Sequence, residues 1–580
     1  MKVHITGWKV RSACLLLVAM PTLAGEGAEP KAGRNEKERP GVPSAAAVPV
    51  GQPMGPPAWA KAQRDYFAAL NAWHEAFLDR FINKETGVAC WIEKERNRGT
   101  LDDCGEYVAT WDKFCLLGAN DRVRAGLIKM WKDLYAQAHK IPGGWQDGYY
   151  RAGRGYDGEH AAELVQLLFG VVEMAPEDPE LRRQVIRIAD LYIGPCYNPK
   201  TRLFRNTWLD VGGGRDTPPG APRDTLTHLP YMNAAWQAYC LTGDEKYRAW
   251  CLEYGASWND LARENGGLFP HMVESATRTI PADWWAGPFG YDYGITVIMR
   301  GLHSMVGILM FLDRGDQKHL SGYRSLVARL TKEGREGRPA SSFDGKAWGD
   351  KGLSHVGGIL VVRPYEYGWS AEDRRFLEQA VAAGGATGLD VAKALYVEGL
   401  TPDRAADIFQ TAARRATSAM ATLKSRPMPE KGDDVGDHYS APARAELAYI
   451  DGSIWGTSNN ARCGGVSSAP LRYFHRDGRQ GLPTGVSAFV HKIEKDRVVA
   501  YLYNDNAQPE QVMVTGGHYG THRIDRVASA AGSVEVGAPR ALLALPPNGG
   551  GEVTLLLTRY AFRPSLSPQS APRTGEGASK

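Results

Sequence analysis

Two clusters of carboxylates have the residue types and spacing for acid–base work. The first is Asp102-Asp103-Cys-Gly-Glu106-Tyr-Val-Ala-Thr-Trp111. On a helix, Asp103 and Glu106 lie three apart and Asp102 and Glu106 four apart, so all three share a face. Bond cleavage between sugars needs one carboxyl group protonated as acid and one ionised as base or nucleophile. Crowding of like charge raises one of the two pKa values. The competing assignment is an acidic helix start on its own dipole. The second cluster is Tyr156-Asp157-Gly-Glu159-His160-Ala-Ala-Glu163. Asp157 can cap a helix on which Glu159 and Glu163 are i,i+4 and His160 and Glu163 are i,i+3. The preceding loop carries Trp145, Tyr149, Tyr150 and Tyr156, whose faces suit the C–H surface of a sugar; a capped helix with a solvated face is the alternative. Trp111 is read as a further part of such a wall.

The same theme recurs at two later loops. Asp224-Thr-Leu-Thr-His228-Leu-Pro-Tyr231 brings an imidazole and a phenol to the start of a helix. Asp283-Trp284-Trp285 runs to Gly290-Tyr291-Asp292-Tyr293. His228, Tyr231, Tyr291 and Asp292 join the candidate catalytic set, and Trp284 and Trp285 the candidate substrate wall; packed aromatic loops with capping aspartates compete. Arg154, Arg215 and Arg223 occupy these loops and could hold an acidic sugar bidentately. His160, Glu163 and His228 could hold a divalent metal, but no zinc signature of HEXXH type is present, and the expectation is no metal and no cofactor. Gly-x-Ser-x-Gly is absent, which excludes the usual α/β-hydrolase nucleophile. Gly212-Gly-Gly214 lacks a P-loop lysine, and no basic stripe with aromatics marks nucleic-acid binding.

These residues must be positioned by helices. Trp59, Tyr66, Phe67, Leu70, Trp73, Phe77 and Phe81 follow helical spacing. Beyond them a weak repeat runs to about residue 425: an apolar helix, a short turn, then an amphipathic helix. The turns are Gly118–Asp121, Pro176–Pro179, Gly243–Glu245, Arg314–Asp316 and Trp369–Asp373. Successive aspartates (Asp121, Asp178, Asp244, Asp316, Asp373) are 57, 66, 72 and 57 residues apart, longer than the ~33–47 residues of known helical solenoids. The surplus lies in the other connections, 141–156, 205–227 and 266–290, which hold the candidate residues. Each short turn is acidic, as an N-cap and first helical turn prefer. Paired helices at this period predict a closed ring or a solenoid.

With 43% hydrophobic and 23% charged residues, the chain has a globular balance. Lys2, Lys9 and Arg11 precede the short apolar run 13–20, and Thr22-Leu23-Ala24 follows, so residues 1–24 read as an export signal. Losing them lowers the formal charge from +4 to +1, so the mature surface offers no general attraction to polyanions. Residues 25–57 and 562–580 are Pro/Gly/Ser-rich and predict a disordered leader and tail. Seven cysteines remain after residue 24, an odd number. The 104/115 and 240/251 spacings put each pair on one helical face at ~16 Å of rise, too far to bridge; buried thiols are expected. Runs at 485–490, 497–503, 511–515 and 552–558 predict strands. Fourteen of 16 tryptophans lie within 59–369, so the aromatic wealth belongs to the helical part.

The repeat, clearest in Ala234-Ala-Trp-Gln-Ala-Tyr-Cys-Leu-Thr-Gly-Asp-Glu-Lys-Tyr247, and the helical-then-β order resemble the six-hairpin glycosidase-like superfamily of exported carbohydrate-active enzymes. The resemblance implies a mainly α fold with a β domain: an (α/α)6 toroid over 58–430 followed by a small C-terminal β-sandwich over 431–561. It implies a glycoside hydrolase acting on a poly- or oligosaccharide, exported to the periplasm or beyond, as a monomer with no membrane span and no nucleic-acid partner. The alternatives are a polysaccharide lyase using Tyr156, His160, His228, Tyr231 or Tyr291 as proton carriers, and a glycan-binding toroid without turnover.

Overall fold

The apolar stripe of the first helix dictates how the chain begins. In the computed structural model, Ala58–Phe81 is one helix whose Trp59, Tyr66, Leu70, Trp73, Phe77 and Phe81 are buried. The structure describes residues 47–87, 108, 111–140, 145–146, 149–150, 158–205, 222–286, 291, 297–334, 340–349, 362–363, 365–383, 387–426, 442, 445–453 and 468–567. Helices follow at Trp111–Cys115, Asp121–Ala138, Gly158–Met174, Pro179–Ile193, Tyr231–Thr242, Glu245–Glu264, Val297–Arg314, Ser321–Glu333, Ala371–Ala383 and Pro402–Ser425. The turns between them work through side-chain caps. Asp178, Asp244 and Asp316 each accept backbone N–H groups at a helix start. At the first turn the cap is Asn120 rather than Asp121, and at the fifth the Ser370 hydroxyl accepts from Asp373. Helices pack on their chain neighbours, and the last, Pro402–Ser425, lies along the first. Tyr66 stacks on Phe409 across that contact at 6.3 Å. Cys115, Cys240 and Cys251 are buried free thiols, and Cys196 is buried as well. No described helix is long and apolar enough to cross a membrane.

The C-terminal region is β-rich. One sheet runs Val48–Pro49, Arg540–Leu545, Glu510–Gly516, Leu471–His475. The other runs Val486–Ile493, Arg497–Asn504, Gly549–Thr558, Arg523–Ser529, Gly532–Ala538, with Gln52–Pro53 also on Gly549–Thr558. The expected disordered leader therefore ends too late: residues 48–53 join both sheets, with Val48 parallel to Leu543 and Pro53 opposite Gly549. Proline is tolerated there because these are edge positions. Gly51 makes the crossing between sheets, at φ +73° and against the Gly550 carbonyl. The tail expectation is corrected likewise at its start, where Leu566 is buried and the Ser565 amide donates to Tyr519. The expected signal peptide lies outside the described residues.

The β region covers the ends of the helices that carry the short turns. Arg479 pairs with Asp121 at 2.9 Å, the Leu566 amide donates to Cys240, and Tyr560 packs on Phe311 and Gly315. The seam is polar. Glu173 accepts from Gln237 and lies 2.9 Å from the His518 imidazole. Lys113 contacts Ser453 and Asp451, and Arg363 bonds Tyr367 and Ser468 and lies 3.4 Å from Glu366. Burial pushes the Glu366 carboxyl up to about 7 against the pull of Arg363.

Two outcomes follow. Replacing Gly51 by Ala puts a Cβ 1.8 Å from the Gly550 carbonyl oxygen at a positive φ, and should cost more than ~1 kcal/mol in denaturant unfolding of the full chain. Glu366 holds its proton in the native state above the pH at which the unfolded chain releases it. The stability it contributes is complete below about pH 4.5 and is lost as pH rises through about 7. Relative to Glu366→Gln, the wild type should lose on the order of 3 kcal/mol across that window, read from unfolding midpoints at each pH.

Candidate active site

Asp224 is the best-connected carboxylate on the side of the long connections. It sits in the strand Arg223–Thr225, paired with Met272–Glu274, and is fully buried. Burial of a carboxylate is tolerable only when its oxygens are filled. Here the Phe204 amide donates at 2.8 Å, the Tyr254 hydroxyl reaches both oxygens at 3.1 Å, and His228 Nδ1 lies 2.7 Å away. Thr225 starts a one-turn 3-10 helix, Leu226–His228, which folds His228 back onto the strand. The Thr225 amide also points at His228 Nδ1, at 3.4 Å. The carboxylate contact needs a proton on Nδ1 and the amide contact a lone pair there, so both cannot be made at once. The 2.7 Å contact to a carboxylate wins, so Nδ1 carries the proton and Nε2 the lone pair. The ring is wedged between Phe204 and Tyr231 with no solvent exposure. The arrangement fixes an imidazole tautomer as an Asp–His couple does in catalysis, but as a rigid support under the surface.

A half-buried aromatic shelf is built on the same ladder. The Leu226 amide donates to the His271 carbonyl, and the His271 amide to the Trp284 carbonyl. The Tyr291 amide donates to Trp285, and Phe343 to Tyr291. Trp284 stacks on Phe343 at 6.0 Å and 21°, Trp285 meets it edge-on, and Trp348 lies 4.8 Å from it. Trp284, Trp285, Phe343 and Trp348 all keep part of their surface open.

The expected site residues fall into three groups. Asp103, Glu106, Asp157, Asp292, Tyr156, Arg154 and Arg215 lie outside the described residues. Glu159 and His160 occupy the first turn of Gly158–Met174, and Trp145 and Tyr149 a two-residue hairpin; the placement of these four side chains is also outside the description. The rest are placed. Trp111 is a core residue, not a wall: it is fully buried against Trp73, His74 and Phe77. Tyr231 is buried on Tyr192 at 4.2 Å. The Tyr291 hydroxyl donates to the Phe269 carbonyl, and burial pushes its pKa far up, so both phenols are poor proton carriers. Arg223 does not form an open clamp; it pairs with Glu274 at 2.8 Å and Asp283 at 3.5 Å. Trp284 and Trp285 sit together on the shelf with Phe343 and Trp348, two rings the sequence reading missed. Their hairpin, Ser342–Phe343 with Trp348–Gly349, was signalled only by the Asp344-Gly345 turn pair. No group of three His, Cys, Asp or Glu gathers at metal-binding spacing among the described residues.

A family model described as a domain of unknown function, DUF8034, matches residues 45–218 and 220–369. No curated protein matches. Solved structures similar to this chain include a GH127 β-L-arabinofuranosidase from Geobacillus stearothermophilus T6, at 13% identity over 87% of this chain and 81% of that one, TM-score 0.37. A β-1,3-1,4-glucanase from Paenibacillus sp. X4 is similar at 11% identity over 65% and 96%, TM-score 0.39. A cellobiose 2-epimerase from Bacillus thermoamylovorans B4167 is similar at 11% over 54% and 91%, TM-score 0.33.

Asp224→Asn should turn an amide N–H toward either His228 Nδ1–H or the Phe204 amide, leaving two donors face to face. It should cost about 2 kcal/mol or more, against about 1 for Tyr254→Phe. Denaturant unfolding of both variants checks the order.

Proposed function

The chain belongs to the DUF8034 family, and from the site it builds we propose an exported enzyme that cleaves glycosidic bonds in a poly- or oligosaccharide. In this reading residues 58–430 close as an (α/α) toroid with 431–561 as a β-sandwich. The packing of Pro402–Ser425 on Ala58–Phe81 supports closure. The β region occupies the short-turn ends, which leaves the long connections as the mouth. The observation that carries the reading is the shelf of Trp284, Trp285, Phe343 and Trp348. Partly exposed aromatic rings held stiffly by backbone bonds suit the apolar face of a pyranose or furanose ring, since an aromatic surface and C–H groups pack without leaving a polar atom unpaired. Asp103, Glu106, Asp157 and Glu159 are the acid–base candidates, and the buried Asp224–His228 couple stiffens the loop beneath. Elimination has less support, because Tyr231 and Tyr291 are buried and Arg223 is paired with acids.

The test is turnover by the full chain on a panel of neutral and uronate-containing glycans, followed by reducing ends and by unsaturated product. Hydrolysis with no unsaturated product is expected. Glu106→Gln or Asp157→Asn should lower kcat by ~10²–10⁴, and Trp285→Ala should raise KM with kcat nearly kept. Absence of turnover on every glycan, with the fold intact, overturns the proposal.

A further inference from the structure

Where the β region meets the helices, a small cavity of about 30 Å³ is lined by Glu366, Trp369, Tyr396, His518, His522 and Arg559, among others. Its hydrogen bonding does not close. The Tyr560 amide donates to His522 Nδ1 at 3.1 Å, a bond the backbone imposes, and the Thr521 hydroxyl lies 3.3 Å from the same nitrogen. The neutral ring therefore carries its proton on Nε2. That nitrogen faces Arg559 Nη1 at 3.3 Å, so two donors meet with no acceptor between them. Protonation does not relieve this: burial and Arg559 hold the imidazole neutral. Two more donors on the wall lack partners, the Trp369 indole N–H and the Tyr396 hydroxyl. Tyr396 is 6% exposed and stands on a π-helical turn, Lys393–Glu398, a distortion common at functional sites. Trp369 holds φ +53°, and the Arg559 guanidinium lies over its ring at 4.8 Å. Among native proteins, buried donors without acceptors are rare enough to demand an absent partner.

We infer that this cavity binds one small oxyanion, a sulfate, phosphate or carboxylate, with its oxygens accepting from Arg559 Nη1, His522 Nε2, the Tyr396 hydroxyl and the Trp369 indole. The charge balance agrees. Arg559 spends its Nε and Nη2 on the carbonyls of Lys495 and Glu494, so its positive charge has no carboxylate in hydrogen-bond contact among the described residues. Glu366, on the same wall, is committed to Arg363 and Ser468. An oxyanion is also the ligand whose several lone pairs can satisfy donors converging from different directions. The lining comes from both parts, Leu312, Glu366, Trp369 and Tyr396 on one side and residues 468–470, Ile493, 517–522 and 559–560 on the other, so the ligand would tie the helical part to the β region. The site is separate from the aromatic shelf and does not depend on the glycan proposal.

The experiment is thermal unfolding and calorimetric titration of the full chain with sodium sulfate, sodium phosphate and sodium acetate, against sodium chloride at equal ionic strength. Sulfate stabilises most proteins without saturating, so the decisive signal is saturation. At least one of the three anions should bind saturably at low millimolar concentration or tighter, with a matching rise in Tm. Which one binds identifies the source: tetrahedral anions for sulfate or phosphate esters, acetate for a carboxylate. Tyr396→Phe and Trp369→Phe each keep an aromatic ring and remove one donor, and together should weaken binding at least tenfold. The proposal fails if all three salts track chloride, or if saturable binding is unchanged in the double variant.

Discussion

Glu173 is the constraint on which the rest depends. It lies with no solvent exposure at the end of the apolar second half of the helix Gly158–Met174. The C-terminal end of a helix is its negative end, the wrong place for a carboxylate. Its compensation comes from elsewhere: the Gln237 amide from a neighbouring helix, and His518 from the β region. Burial lowers the His518 pKa even beside this carboxylate, so a neutral imidazole donates and the nearest full positive charge is Arg472. That guanidinium is buried too, bonding the carbonyls of His518 and Glu173 and the side chain of Gln480. The helix could not keep Glu173 buried without the β region in place.

The same logic repeats around the seam, at Lys113 with Asp451 and at Arg363 with Glu366 and Ser468. Apolar burial is non-directional, and helix ends covered only by apolar strands could be met at several rotations. Each buried polar group instead accepts one partner at one distance. Such pairs add little net stability over apolar packing, because desolvation offsets attraction. Their effect here is geometric: they select the docking in which each of these charged groups meets its partner. That docking covers the short-turn ends of the helices.

The helical part was legible because its signals are local. The spacing of Trp59 to Phe81 wrote the first helix, and Asp178, Asp244 and Asp316 announced the helix starts they cap. Four strands were legible from β-branched runs, whereas Leu471–His475 and Arg540–Leu545 were not, since their pairing depends on partners far along the chain. Val48–Pro49 and Gln52–Pro53 looked like leader because proline content masks an edge strand. Trp111 was misread because residue type alone cannot separate a core indole from a subsite indole; its neighbours Trp73 and His74 lie a helix away. The seam was invisible for the same reason. Glu173 is legible only as a stray charge among Leu167, Phe169, Val171 and Val172, and its partner His518 lies 345 residues on.

The Asp224–His228 couple shows how a site can be rigid without being reactive. An aspartate and a histidine four apart in Asp-Thr-Leu-Thr-His resemble a catalytic pair, and the geometry does orient the imidazole. Yet both are sealed, and their bonds run to Phe204, Tyr254 and the strand that carries His271. From His271 the backbone passes to Trp284, from Trp285 to Tyr291, and from Tyr291 to Phe343. Stacked rings that must keep a fixed geometry cannot hang on free loops. They need connections that resist torsion, and a buried, fully hydrogen-bonded carboxylate at their root provides one. The polar groups most conspicuous in these loops thus belong to the support of the aromatic shelf.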